Sequence, residues 1–166
     1  MRGPGMVMAA AVTAATAAAL LAGCTAADAP GASSAPTVTP TCPDTIAPEP
    51  GTPETAAAAP EIGAFDSAWL CVYALGDAWT LAEGPAPIDD LDGVRELVDA
   101  LEPADLMRPC TLELGPEYLL TLADGDDLTR IVVDAYGCRW ARVEGEPGLL
   151  TGPDTIIADL DGLAGL

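Results

Sequence analysis

The sequence predicts an α+β domain: a small antiparallel β-sheet packed by one main helix and a short C-terminal helix, held by two disulfides and preceded by a signal peptide and a disordered tether. Three observations predict it. Large aliphatic and aromatic side chains concentrate beyond Ile62, whereas Ala, Pro, Thr and Gly dominate up to about Pro60, so the core comes from the second part. Within that part several short apolar runs suit strands, and two stretches carry the 3.6-residue period of an amphipathic helix. Gly, Pro and Asp clusters separate these runs, as turns do. A chain of 166 residues allows one compact domain plus extras.

Residues 68–75, Ala-Trp-Leu-Cys-Val-Tyr-Ala-Leu, are apolar on both alternating faces and predict a central strand buried on two sides. Gly76 and Asp77 form a turn into a shorter strand over 78–82, which Gly84-Pro85-Ala86-Pro87 closes. Residues 89–101 predict the main helix, with Leu91, Val94, Leu97, Val98 and Leu101 in one stripe and Arg95, Glu96, Asp99 and Glu102 facing out. Asp89 or Asp90 supplies its cap, and Pro103 stops it. Strands over 117–122 and 129–136 flank Ala123-Asp124-Gly125-Asp126-Asp127, a hairpin loop with the residues that tolerate positive φ. Tyr118, Leu120 and Leu122 share one face of that hairpin, and Ile131, Val133 and Ala135 are to pack under the helix stripe. Residues 139–143 add a further strand. Gly152-Pro153-Asp154 opens the final helix, buried through Ile156, Ile157, Leu160 and Leu163 and ended by Gly162.

The first 23 residues have signal-peptide anatomy, with Arg2 near the start and an apolar run from 6 to 21 that ends at small residues. Leu21-Ala22-Gly23-Cys24 resembles the lipobox of bacterial lipoproteins. That resemblance implies cleavage before Cys24, a diacylglyceryl group on its thiol, acylation such as palmitoylation of its new amino group, and a place on the outer face of the cytoplasmic membrane. The lipid bilayer, held through acylated Cys24, is then one partner, because two or three acyl chains anchor stably where one is marginal. Residues 24–60 read as a Pro-, Ala- and Thr-rich tether unable to bury a core, and residues 61–166 as the folded domain. Within the tether Cys42, in Pro-Thr-Cys-Pro-Asp, is out of place unless a disulfide lays it against the domain.

Without Cys24, four cysteines remain, at 42, 71, 110 and 138, and an even count in an exported domain argues for two disulfides. Pairing the 117–136 hairpin brings its flanks together, which favours Cys110 with Cys138 and leaves Cys42 for Cys71. Zinc is disfavoured, since the set has no Cys-x-x-Cys pair and the chain no His.

The formal charge is −20, with no Lys and no His. Such a field repels phosphate backbones, so nucleic acid is excluded as a partner. Without His there is no Ser-His-Asp or Cys-His chemistry, and Ser67 is the sole Ser beyond the tether. Acidic clusters at 89–92, 124–127 and 159–161 are explained by caps and turns. Asp90, Asp92, Gly93 and Asp99 fit four positions of a calcium-binding EF-hand loop, but its first ligand would be Ile88, which cannot ligate; the 124–127 loop is the remaining weak calcium candidate. Arg130, Arg139 and Arg142 form a candidate anion site, with Asp134, Glu144 and Glu146 among them to neutralise it. Trp69, Trp79, Trp140, Tyr118 and Tyr136 are candidates either for a ligand groove or for the core.

The lipobox, the Pro/Thr tether, a Cys-Pro, Trp-Leu-Cys-Val-Tyr and a late Tyr-Gly-Cys together resemble small lipoproteins of actinobacterial type, which implies no particular activity. Cys110, Gly115-Pro116-Glu117-Tyr118-Leu119-Leu120-Thr121-Leu122, Gly125 and Cys138 are similar in order to the late disulfide loop of subtilisin-inhibitor-like domains. That resemblance implies a reactive bond just after Cys110, with Leu112 at the primary specificity position; Glu113 follows it here, and the family's other disulfide has no counterpart. The expectation is therefore a non-enzymatic, cofactor-free, metal-free lipoprotein that binds an envelope protein or a small ligand, with protease inhibition as the alternative.

Overall fold

The computed structural model describes residues 38–47, 55, 56, 58 and 61–166. The expected signal peptide, Cys24 and the remaining residues of the expected tether lie outside them. The described residues form an eight-stranded antiparallel sheet with two helices and two disulfides.

Strand β2, which follows β1 (Thr45–Ile46) in the chain, spans Ser67–Leu75 and is buried from residue 68 to 73. Its even side chains, Ala68, Leu70 and Val72, join one apolar cluster, and its odd ones, Trp69, Cys71 and Tyr73, join another. A strand buried on both faces needs two covers, and the molecule supplies them from different parts of the chain. The remaining elements are β3 (Trp79–Ile88), α1 (Leu91–Asp99), β4 (Glu102–Pro103), β5 (Glu117–Asp124), β6 (Asp127–Asp134), β7 (Trp140–Val143), β8 (Leu150–Thr151) and α2 (Ile156–Ala164). The sheet order is β1-β3-β2-β5-β6-β7-β8-β4.

The two helices cover the even face. Val94, Leu97 and Val98 of α1 and Ile156 and Leu160 of α2 pack against Leu70, Leu120, Leu122, Ile131 and Val133, so the hairpin and helix stripes meet as expected. Tyr118 lies in the same core, and its phenol, hydrogen-bonded to the Asp161 side chain, has its pKa pushed up to about 12 by burial first and by that carboxylate second. Helix α1 is shorter than the periodicity suggests. Asp90 caps it by accepting from the Gly93 N–H at 3.0 Å, and Ala100 ends it, because the chain must turn to put Leu101 in the core and Pro103 in β4. Arg95, expected outside, folds back: its guanidinium donates to the Ile62 and Gly63 carbonyls and lies 4.1 Å over the Phe65 ring. It staples the lead-in to β2 onto the helix.

Three other boundaries differ from expectation. The strand after the 76–78 turn does not stop before Gly84 but runs to Ile88. Two register shifts absorb it, with extra β3 residues opposite β2 at Leu70/Val72 and at Val72/Tyr73. Pro85 and Pro87 are tolerated because β1 pairs only with Thr80 and Trp79, leaving the rest of β3 an edge free of ladder demands on that side. The 117–136 hairpin closes on just Gly125 and Asp126, with Gly125 at φ +58°, so the strands run to Asp124 and from Asp127. Gly162 sits inside α2, and Gly165, left-handed at φ +70°, ends that helix instead, its N–H donating to the Asp161 carbonyl.

Residues 38–47, assigned by composition to the tether, cover the odd face. Val38, Cys42 and Ile46 pack on Trp69, Cys71, Tyr73, Trp79, Leu119 and Ala123. Buried Trp and Tyr need acceptors for their polar tips. The Trp69 indole N–H donates to the Thr41 carbonyl at 2.8 Å, and the Tyr73 hydroxyl donates to the Pro43 carbonyl at 2.9 Å. The Leu81 N–H donates to the Asp44 carbonyl at 2.9 Å, after which Thr45 and Ile46 pair with β3. A proline in this strap suits its task, since it offers a carbonyl without an N–H that would itself need a partner. The Cys42–Cys71 disulfide, with Cα atoms 5.9 Å apart, clamps the strap onto the face. Further along, Thr55 accepts from the Leu149 N–H and Ala56 bridges Leu149, so this part of the tract too joins the domain.

Candidate functional site

The candidate site is the irregular stretch 104–116 between β4 and β5. Its ends are fixed. The Ala104 N–H donates to the Leu149 carbonyl at 3.0 Å, Asp105 caps a turn by accepting from the Met107 N–H, and the Pro116 carbonyl accepts from the Ala135 N–H at 3.1 Å. Between these points Cys110 is bonded to Cys138, with Cα atoms 4.7 Å apart.

The partner side of that disulfide is a tight bend. Gly137 at φ +64° and Arg139 at φ +55° both take the left-handed region, which costs a side-chain-bearing residue such as Arg139 more than a glycine. The bend turns Cys138 inward, where it is buried, toward Cys110. Arg139 donates to the Asp154 carbonyl at 3.1 Å, while Arg108, on the other arm, meets the Asp154 carboxylate at 3.3 Å. These exposed contacts orient the base of the loop more than they stabilise it. Gly115 lies against the Tyr136 ring, and a Cβ there would overlap the ring itself.

The disulfide and Gly115 thus bracket Thr111, Leu112, Glu113 and Leu114, all of them exposed. Leu112 is fully exposed, Leu114 is 77% exposed and Met107 is 90% exposed. A lone exposed leucine is ordinary, but Leu112 and Leu114 line one groove with half-exposed Tyr136, and Met107 is exposed on the same tied-down loop, the kind of apolar exposure that marks interaction surfaces. Behind the loop, on the odd face of the sheet, Trp79, Glu117, Tyr136, Trp140 and Arg142 line a groove of about 400 Å³.

The aromatic candidates therefore divide. Trp69 and Tyr118 are core, Trp140 and Tyr136 line the groove, and Trp79, buried in the odd-face cluster, also reaches the groove wall. The three arginines do not combine into an anion site: Arg130 pairs with Glu144 at 2.8 Å, Arg142 with Asp134 at 3.3 Å, and Arg139 turns to Asp154. Asp90 serves the helix cap. Among the described residues no three His, Cys, Asp or Glu side chains are grouped to hold a metal. Leu112 stands on the loop two residues past the disulfide, and Cys24 lies outside the described residues.

Sequence reasoning did not single out Met107 and Leu114, which the structure exposes on the candidate loop. The available signal was their apolar character in a run bounded by Pro103, Pro109 and Pro116 that fits neither helix nor strand period. It missed the strap carbonyls altogether, because a backbone acceptor leaves no trace in residue type.

No family model, curated protein or solved structure matches the chain. Two disulfides are the mark of an extracytoplasmic protein, since thiols stay reduced in the cytosol. Among the described residues no helix is long and apolar enough to cross a membrane.

Proposed function

We propose that this chain is a bacterial lipoprotein, acylated on Cys24 at the outer face of the cytoplasmic membrane, whose domain is a non-catalytic protein-interaction module that recognises an envelope protein through the 104–116 loop. The observation that carries the reading is the loop itself: Leu112 and Leu114 lie in solvent on a segment held at its base by the Cys110–Cys138 disulfide. Apolar side chains on a constrained loop lose little conformational entropy when they dock, which favours recognition over simple solubility. The lipid anchor is supported by the lipobox motif and by the disulfides of an exported domain. The acidic charge and the absence of His argue against nucleic acid and against His-dependent catalysis.

The test uses the full chain in its native membrane with a photo-crosslinking residue at position 112 or, as control, at Asp126. A discrete protein adduct from position 112 that is absent from position 126, and lost when Leu114 is also changed to Asp, is expected. Equal adducts from both positions, or none from 112, would overturn the loop as the contact surface. Metabolic labelling with a palmitate analogue checks the anchor, and a chain that labels equally well with Cys24→Ser is not a lipoprotein acylated there.

A second reading is protease inhibition with Leu112 as the primary specificity residue, favoured by full exposure of Leu112 two residues beyond a disulfide-bonded cysteine. It predicts that the mature chain with Cys24→Ser slows a subtilisin-type protease and that Leu112→Gly removes the effect. Unchanged protease activity with the parent chain sinks it.

A further inference from the structure

The groove behind the loop is built on three neighbouring strands. Register sets Glu117 of β5 opposite Asp134 of β6, and Val132 of β6 opposite Arg142 of β7, so that these charged side chains share the odd face. Like charges directly opposite on paired strands repel, and the Arg142 guanidinium meets Asp134 at 3.3 Å. Half-buried Trp140 and half-exposed Tyr136 add aromatic surface, and the exposed Leu112, Glu113 and Leu114 complete the open side of the lining. A volume of about 400 Å³ is enough for one long side chain with the backbone beside it.

Charge decides what such a groove takes. Among the described residues that line it, Arg142 is the one cation against Glu113, Glu117 and Asp134. Asp77, two residues before Trp79, and Asp105, at the start of the loop, are exposed and add to the negative field. The loop's own Arg108 and the neighbouring Arg139 both turn to Asp154. Aromatic ring faces attract cations as well. A guanidinium suits both features, because it stacks on aromatic rings, keeps its charge at every physiological pH and is more weakly hydrated than an ammonium. The chain does not bring its own: outside the described residues its only Lys or Arg is Arg2, in the expected signal peptide. A second copy carries the same formal charge of −20 and is repelled.

We propose that the groove takes an arginine side chain of the partner protein, seated against Tyr136 and Trp140 and facing Glu113 and Glu117, while apolar residues beside that arginine dock on Leu112 and Leu114. This rests on the interaction reading given above and states the chemistry of the segment recognised, which is basic and apolar. The probe is a dye-labelled peptide of alternating Leu and Arg, compared with the same peptide carrying neutral citrulline for Arg, and binding to the mature chain with Cys24→Ser is read by fluorescence anisotropy. The citrulline peptide is expected to bind at least about tenfold more weakly; equal binding of the two overturns the cation. The arginine peptide is expected to lose at least about fivefold in affinity with Glu113→Gln plus Glu117→Gln, and less than about twofold with Asp124→Asn plus Asp126→Asn, which remove the same charge at the other end of β5. Equal losses in the two double variants would reduce the attraction to the overall acidic field and overturn the groove. Trp140→Leu leaves every charge in place and is expected to weaken binding at least about threefold; unchanged affinity overturns the aromatic seat. Circular dichroism checks that each variant folds, and if Glu117→Gln does not, Glu113→Gln with Trp140→Leu carries the same comparison. The photo-crosslink from position 112 in the native membrane separates this proposal from the reading beneath it. An adduct undiminished by Glu113→Gln with Glu117→Gln leaves the loop as the contact surface and overturns the arginine. No adduct from 112, with the arginine peptide still preferred, removes the native protein contact while the groove's preference for a guanidinium stands.

Discussion

The two disulfides close loops of almost the same length, with separations of 29 and 28 residues, yet they do different things. In the chain-entropy account each contributes about 3.6 kcal/mol by restricting the unfolded chain. The difference lies in what each holds in the folded state. Cys42–Cys71 draws a strap over Trp69 and Tyr73, with Cys71 fully buried and Gly84 so close beneath that a Cβ there would come within 3.1 Å of the Cys42 sulfur. Cys110–Cys138 holds an apolar loop away from the core, with Leu112 in solvent. One bond completes a core and the other displays a surface; equal closure entropy serves opposite ends.

That contrast can be broken from either side. The largest effect is expected from Cys42→Ala with Cys71→Ala, which loses the closure contribution and also loosens the cover of an aromatic face. Unfolding in guanidinium should show a loss of more than about 4 kcal/mol together with red-shifted Trp69 fluorescence. Cys110→Ser with Cys138→Ser should cost no more than about 3.6 kcal/mol and leave that fluorescence unchanged; if the two pairs cost the same, the strap adds nothing beyond closure.

Gly84→Ala probes the clamp without touching a sulfur. Gly84 holds φ +108°, and an added Cβ would meet the Leu70 carbonyl oxygen at 2.6 Å, so a loss of roughly 2 kcal/mol or more is expected in the same unfolding assay. A neutral result would show that the strap and β3 can shift together.

Tyr118 sharpens the comparison from the helix side. Its folded pKa of about 12 lies above the ordinary phenol value of 10.0, so the neutral phenol is favoured by folding. The associated stability is complete below pH 10 and is lost as pH rises toward 12. Melting temperature should fall across that window, and Tyr118→Phe should flatten the fall; an equally steep fall in the variant would assign it elsewhere, Tyr73 being the other phenol that burial pushes up. The smallest effect on stability is expected at the loop, where Leu112→Ala should change unfolding free energy by less than about 0.5 kcal/mol while abolishing the photo-crosslinked adduct of a probe placed at position 114.

Much of this architecture was legible in residue order. Both helix stripes, the 117–136 hairpin and the two-sided burial of β2 follow from period and composition, because each is a local pattern set by which faces must leave water. The boundaries that failed did so where a neighbour decided the outcome. Pro85 and Pro87 end most strands but not β3, whose outer side there has no partner. Gly162 reads as a stop but lies within α2, since the turn falls at Gly165. Arg95 reads as solvated until Phe65 and two carbonyls come within its reach. Of the exposed apolar residues on the candidate loop, the sequence singled out Leu112, through the order of motifs around it, whereas Met107 and Leu114 became candidates only by their exposure.

By itself the sequence determined that there would be a two-sided central strand, because alternation buries both of its faces wherever it sits, and that four thiols besides Cys24 would be available to pair. Tertiary structure decided what covers the second face. A run of Pro, Thr and Ala has no apolar period and reads as tether. It becomes part of the core only because Trp69 and Tyr73 need acceptors, the carbonyls of Thr41 and Pro43 supply them, and Cys42 lies between those two residues, opposite Cys71.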